Sequence, residues 1–266
     1  MEEEQLQNRT PLEKKAPDIG EMVNIFSKGE YLGFNLAFVR PRPDDAVLDV
    51  GAGTCAVSRA FSPYVRAVVP LDVSEEALEK GRKAAEKEGL SNLIYVKGMA
   101  EDLPFLDETF DITHSRLAFH HFKDVWEPFS EMARVTKKGG RVVLVDMEAS
   151  AEPYRVIRDK IERLRDPSHV RNLTQDEMLA LFKGEGLTVE MSTSKVIPQK
   201  LTPWLTLSGA SKKDGEEIRR LMEEELAGGD KTGLNPYHID GDIGFNHKWI
   251  LIIGRKKDTK HKEALL

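Results

Sequence analysis

Glycines, carboxylates and a pair of histidines carry the chemistry legible in this sequence. The run Leu48-Asp49-Val50-Gly51-Ala52-Gly53-Thr54 follows a β-prone segment and opens a helical one, the context in which a glycine motif is informative. Glycine lets the chain turn tightly and lets a ligand approach the backbone, because no Cβ intervenes. Nineteen residues beyond Gly53, Asp72 ends the next β-prone segment. A carboxylate at that spacing can accept hydrogen bonds from both hydroxyls of a ribose. The two features predict a nucleoside-containing ligand at the carboxyl edge of a sheet. Gly51-Ala52-Gly53-Thr54-Cys55-Ala56 also satisfies the looser dinucleotide fingerprint, so NAD is an alternative. Two features weigh against it. Asp49 puts a negative charge before the turn, where it would repel a pyrophosphate but suit a cationic amino acid. A helical segment also precedes the turn, and no second nucleotide-binding half is recognisable downstream.

His120-His121 is the pair best suited to moving a proton, since histidine titrates near neutral pH. Adjacent residues do not share a helix face, so one of them, His121, is the candidate base for a hydroxyl or an activated carbon. The competing role is a helix-start histidine bonded to a neighbouring loop. Two adjacent histidines with no third ligand in view are poor geometry for a metal, and no metal site is expected. Cys55 reads as a small packing residue rather than a nucleophile. Asp72 on its own could simply cap a helix starting near Ser74, and His169 either shapes a pocket or ties a covering segment to the core.

The elements that must position these residues alternate regularly after the break Arg40-Pro41-Arg42-Pro43-Asp44-Asp45. Strands are predicted at Ala46–Val50, Val65–Asp72, Leu93–Lys97, Asp111–Ser115 and Arg141–Asp146. Helices are predicted to about Phe61, over Ser74–Glu88 with Ser74 as cap, and over Trp126–Val135 stopped by Gly139-Gly140. Such βαβ units make a doubly wound, mostly parallel α/β sheet. Further on, helices are expected at Tyr154–Arg165, Thr174–Lys183 and Glu216–Ala227. Thr174 and Glu177 have capping-box spacing. Late strands at Leu187–Val196 and Phe245–Ile253 would extend the sheet edge. The segment from Asp18 to Phe38 suggests one or two short helices.

Of 266 residues, 40% are hydrophobic and 32% charged, which excludes collagen-like, low-complexity and largely disordered chains. A net charge of -6 gives no global attraction for nucleic acid or anionic lipid. The single cysteine allows no internal disulfide and no thiolate metal site. The acidic start leads into no apolar stretch, and apolar runs such as Trp249–Ile253 fall well short of the roughly 20 residues a span requires. A cytoplasmic chain without a membrane span is expected. Its predicted layout is a loose arm over 1–17, one domain over 18–254 and a frayed tail over 255–266. Within the domain, 18–150 form the cofactor-binding core, 151–240 a helical cover with late strands, and 241–254 an edge strand.

The chain resembles the class I S-adenosylmethionine-dependent methyltransferases, in the branch that includes the ubiquinone and menaquinone C-methyltransferases (methyltransferase type 11). The resemblance is carried by Val47–Thr54, Leu71–Ser74, Gly98–Phe105, Phe110-Asp111, Leu117–Phe122 and Glu131–Gly140, in that order. It covers residues 20–150 well and the remainder by layout. It implies a seven-stranded Rossmann-like sheet and S-adenosylmethionine as cofactor. Asp49, Gly51, Ala52, Gly53 and Thr54 would surround the methionine end, and Asp72 would hold the ribose. Val73 would pack on the adenine, with Met99, Ala100 and Glu101 at its edge, and Arg116 and Leu117 would lie near the sulfonium. Many relatives carry a third glycine where Cys55 stands and an acidic residue where Met99 stands.

The activity this implies is methyl transfer to a small-molecule acceptor by direct displacement. The alternatives are a methyltransferase acting on protein or nucleic acid, a NAD-binding protein and a non-catalytic cofactor-binding protein. Asn235-Pro236-Tyr237 looks like part of the motif of amino-group DNA methyltransferases but falls far from the fourth strand, and reads as a turn. Tyr154, Trp204, Leu205, Phe245 and Trp249 hint at an apolar or aromatic acceptor, or else belong to the core.

Overall fold

The structure, a computed structural model, describes residues 32–208 and 210–258. The expected arm over 1–17, any helix before Leu32 and the tail beyond 258 lie outside the described residues. Helix α1 (Leu32–Val39) leads into β1 (Ala46–Val50), α2 (Ala56–Phe61), β2 (Ala67–Asp72), α3 (Glu75–Lys87), β3 (Val96–Lys97) and β4 (Phe110–Arg116). Then come α4 (Trp126–Val135), β5 (Thr136–Met147), α5 (Arg155–Arg165), α6 (Gln175–Gly184) and β6 (Thr188–Lys200). The described chain closes with α7 (Leu201–Ser208), α8 (Lys212–Leu226), β7 (Tyr237–Ile239) and β8 (Asp242–Arg255).

One sheet runs in the order β3-β2-β1-β4-β5-β8-β6. Pairings from β3 to β5 are parallel, and β8 runs antiparallel to both β5 and β6. The doubly wound α/β architecture is as expected, with eight strands instead of seven among the described residues. The extra one is the short β7, which pairs with the start of β8. Asn235 and Pro236 lead into this strand and Tyr237 opens it, so the motif read as a turn ends in a strand.

Local chemistry explains the boundaries. The Ser74 hydroxyl accepts from the Ala77 N–H at 3.2 Å and so starts α3. Thr174 and Glu177 form the reciprocal capping box that starts α6. Val142 through Val145 are all fully buried, because apolar clusters cover both faces of β5. Two expectations need correcting. The strand expected at the sheet edge over 241–254 is β8, which lies between β5 and β6 and leaves β6 at the edge. Helix α4, for its part, is not stopped by Gly139-Gly140. It ends at Val135, and both glycines lie inside β5, whose pairing with β4 starts at Phe110↔Thr136 and resumes after a bulge at Ile112↔Arg141. The third strand is also shorter than expected, with Leu93 reduced to a single bridge to Val68.

A third cluster, built from Ile161, Trp204, Ile218, Met222 and Phe245, joins α5, α7 and α8 into the cover. Trp204, Leu205 and Phe245 are therefore core residues of the cover, not part of an acceptor surface. No described helix is long and apolar enough to cross a membrane.

Candidate active site

Strand β1 lies between β2 and β4, so the chain winds outward through β2 and β3 and then crosses back to β4. Ligands of open α/β sheets bind at such a reversal, outside the carboxyl ends of the strands. The glycine turn sits there. Gly51 and Gly53 adopt φ of 68° and 52°, and the Gly51 and Ala52 N–H groups both donate to the Leu71 carbonyl. A Cβ on Gly51 would stand 2.5 Å from the Ala118 Cβ, so the turn can lie this close to the chain after β4 only without a side chain.

The carboxylate of Asp72 faces this turn. Its Oδ2 accepts from the Gly53 N–H at 2.7 Å and its Oδ1 from the Ser74 N–H at 2.8 Å. Ser74, not Asp72, caps α3 through its side chain. A carboxylate has about four acceptor positions, so each oxygen retains one for a ligand hydroxyl.

A cavity of about 490 Å³ opens over the turn. Gly51, Gly53, Asp72 and Val73 line one side, Met99, Ala100 and Glu101 a second, and Leu117, His121 and Ser168 a third. Val73 is 64% exposed and Met99 57%, although most large apolar side chains of this protein are buried. Two uncovered apolar side chains flanking a carboxylate suit a flat ring joined to a sugar. Leu117 holds φ of 56° directly after β4, a strained conformation for a residue with a side chain.

Four of the residues expected around the ligand stand back from the cavity wall: Asp49, Ala52, Thr54 and Arg116. Asp49 is buried beneath the turn, accepting from the Ser58 hydroxyl at 2.5 Å and lying 3.4 Å from Nδ1 of His114. The Arg116 guanidinium stacks over Trp249 at 5.6 Å. Burial lowers its pKa, and the charges of Asp49 and Asp146 oppose that shift. Cys55 is fully buried at the start of α2. Its thiol is pushed up to about 12, first by burial and then by the carboxylates of Asp49 and Asp72. A thiol held protonated packs and does not attack.

The histidines lie on a short 3₁₀ turn, Phe119–His121. His120 turns inward, its Nδ1 at 2.7 Å from Oδ1 of Asp146, at the end of β5. Burial alone would lower its pKa, but the Asp146 carboxylate outweighs that and raises it. His121 lines the cavity, and its Nδ1 is 3.0 Å from the Ser168 hydroxyl. Ser168 in turn donates to Asp166 at 2.6 Å. Burial, followed by the charge of His120, lowers the pKa of His121. His169 does not line this cavity. Its Nε2 is 3.5 Å from Asp159 on α5, and its ring lies 5.4 Å from that of His120, so it ties the cover to the histidine turn. Sequence reasoning missed Asp146 and Ser168. The local signal for Ser168 is the run Asp166-Pro167-Ser168-His169, in which an aspartate two residues before a serine has Asx-turn spacing.

A second cavity of about 530 Å³ lies within the cover, lined by Glu148, Tyr154, Arg158, Asn235, His247 and Lys248 among others. It contains none of the residues expected to bind a cofactor.

A doubly wound sheet whose glycine turn and next-strand carboxylate meet over a cavity at the switch point defines a Rossmann-like nucleoside-binding protein. Residues 48–144 match the family model described as a methyltransferase domain. The chain is 34% identical over 94% of its length to the uncharacterised methyltransferase YcgJ of Bacillus subtilis, of which it covers 99%. The crystal structure of YcgJ superposes with a TM-score of 0.77 at 33% identity, covering 85% of this chain and 98% of that one. A demethylmenaquinone methyltransferase of Symbiobacterium thermophilum is 33% identical over 59% of this chain and 64% of its own length. The chain belongs to the S-adenosylmethionine-dependent methyltransferase family, and S-adenosylmethionine is its cofactor.

Proposed function

We propose that the protein transfers the methyl group of S-adenosylmethionine to a small-molecule acceptor by direct displacement, with His121 as general base. One observation carries the proposal: the glycine turn, the Asp72 carboxylate and His121 share a single cavity. In this reading Asp72 accepts from the ribose hydroxyls, and Val73 and Met99 pack on the adenine. Ala100, through its backbone, and Glu101 meet the adenine edge. Gly51 and Gly53 admit the methionine portion, with Ala52 and Thr54 shaping the turn. Asp49, buried beneath it, and the half-buried Arg116 act as charges near the sulfonium end, beside Leu117.

The cofactor supplies a methyl group already activated by a sulfonium charge. The chain's own contribution is placement and exclusion of water. Holding two reactants in line can supply roughly 7–11 kcal/mol of rate enhancement in favourable cases. A small acceptor is supported by the acidic charge of the chain and by a relative named demethylmenaquinone methyltransferase. A cytoplasmic setting is part of the same reading, in keeping with a chain whose single cysteine is buried and builds no disulfide framework.

Isothermal calorimetry tests it. The protein is expected to bind S-adenosylmethionine and not NAD, and Asp72→Ala is expected to weaken the first at least tenfold. NAD binding alone would defeat the assignment, and unchanged affinity in Asp72→Ala would contradict the ribose role.

A further inference from the structure

The environment of His121 goes beyond a histidine beside a cavity. We infer that Ser168 and Asp166 fix the tautomer of His121, keeping the proton on Nδ1 and leaving Nε2 as the unprotonated nitrogen available to an acceptor. The inference deepens the reading of His121 as a base and rests on it.

Asp166 is ionised, since Ser168 donates to it through both hydroxyl and backbone N–H and its pKa lies below the ordinary carboxylate range despite partial burial. A carboxylate can only accept. At 2.6 Å the Ser168–Asp166 contact must contain a proton, and the hydroxyl has only one. Toward His121, 3.0 Å away, the same oxygen can therefore only accept. The ring must donate, so Nδ1 carries the hydrogen, and in the neutral ring Nε2 carries the lone pair. The charged and titratable groups around this ring are His120 on the same turn, Asp146 at the end of β5 and Asp166 in the loop after α5. Burial and His120 favour the neutral ring, which the role requires.

In the transfer, a Y–H acceptor gives its proton to Nε2 and its electron pair to the methyl carbon. The carbon–sulfur bonding pair stays on sulfur, leaving S-adenosylhomocysteine. The imidazolium that forms keeps its Nδ1–H on Ser168, whose dipole is already aligned by Asp166, so no group need reorient as charge develops. Such a site serves acceptors that lose a proton on methylation, hydroxyls and acidic carbons, and is superfluous for thiolates. Ser168 and Asp166 are positioning residues, since they act only through His121.

Long-range ¹H–¹⁵N correlation spectra of the full chain at pH 8, with His121 assigned through His121→Gln, read the tautomer directly and need no acceptor. The wild type is expected to show a protonated Nδ1 and an unprotonated Nε2. Ser168→Ala is expected to lose that preference and Ser168→Thr, which keeps the hydroxyl, to retain it. In Asp166→Asn the amide oxygen can still accept from both the Ser168 N–H and the hydroxyl, so the Nδ1-protonated ring is expected to persist, whereas Asp166→Ala removes that acceptor and is expected to lose it. A wild-type ring protonated on Nε2, or a tautomer indifferent to Ser168→Ala, overturns the inference. Calorimetry with S-adenosylhomocysteine on the same sample keeps the two readings apart. Binding with the wrong tautomer sinks this inference alone, whereas absence of binding sinks the cavity assignment beneath it.

Discussion

At Gly51 the missing side chain serves both backbone and packing. Its φ of 68° is one that residues with a Cβ adopt at a cost, and its hydrogen faces Ala118 where a methyl group would overlap. Gly51→Ala is therefore expected to cost about 2–4 kcal/mol in urea unfolding, strain and overpacking together. Because the turn must shift away from the chain after β4, S-adenosylmethionine affinity should fall at least tenfold by calorimetry. Gly53 has the same handedness but open space around it, so alanine there meets strain without collision. Cys55 shows the opposite case. It occupies a left-handed position, φ 58°, that glycine would fill at no cost, and it is tolerated because Gly81 of α3 leaves room for its sulfur. A Cβ on Gly81 would stand 2.5 Å from that sulfur, so Cys55 needs a glycine on the next helix.

At the scale of elements, α5 joins the cover to the sheet through a buried polar network. Arg158 and Glu162, one helical turn apart, form a 2.9 Å ion pair with almost no solvent contact. His247 of β8 lies 3.4 Å from the same carboxylate. Burial, with the charge of Arg158, pushes the His247 ring down from an ordinary 6.5 to about 4. Burial alone would raise the Glu162 pKa, but the Arg158 charge and His247 hold it far below the carboxylate range. The folded protein thus refuses a proton at His247 that the unfolded chain accepts below pH 6.5. This contribution is complete above that pH and is lost as pH falls toward 4, about 3 kcal/mol at most. Urea unfolding at pH 7, 6 and 5 should show the wild type losing stability faster than His247→Gln. Parallel curves would rule out a neutral buried ring. The spacing of Arg158 and Glu162 on one helix is local, but their burial and their meeting with His247 were not legible in the sequence, because they arise only when β8 folds back beside β5. The capping box of α6 and the Ser74 cap of α3, by contrast, join residues three apart and could be read directly.

At the scale of the whole molecule, the cavity draws its walls from distant parts of the chain: the turn after β1, the end of β2, the chain after β3 and β4, and the loop after α5. A ligand that bridges them favours the folded state by mass action. At one hundred times its dissociation constant, S-adenosylhomocysteine should add about 2.7 kcal/mol, which raises the melting temperature of a chain this size by roughly 5–10 °C. NAD at the same concentration should leave it unchanged in differential scanning fluorimetry. A shift with NAD and none with S-adenosylhomocysteine would contradict the assignment.

Sequence alone determined the strand–helix alternation, the parallel core, the glycine turn and its partner Asp72. Each is written in neighbouring residues or in a spacing that one βαβ unit fixes, so local patterning suffices. Asp72 meets Gly53 because parallel pairing of β1 with β2 sets their tips side by side. Tertiary structure alone decided that Asp49 and Arg116 do not line the cavity, that Trp204 and Phe245 belong to a core, and that Asp146 and Ser168 meet the two histidines. Those contacts join residues far apart in the chain, across strand pairings and a covering loop. No periodicity encodes such a meeting, since it depends on which faces remain after the sheet has closed against its helices.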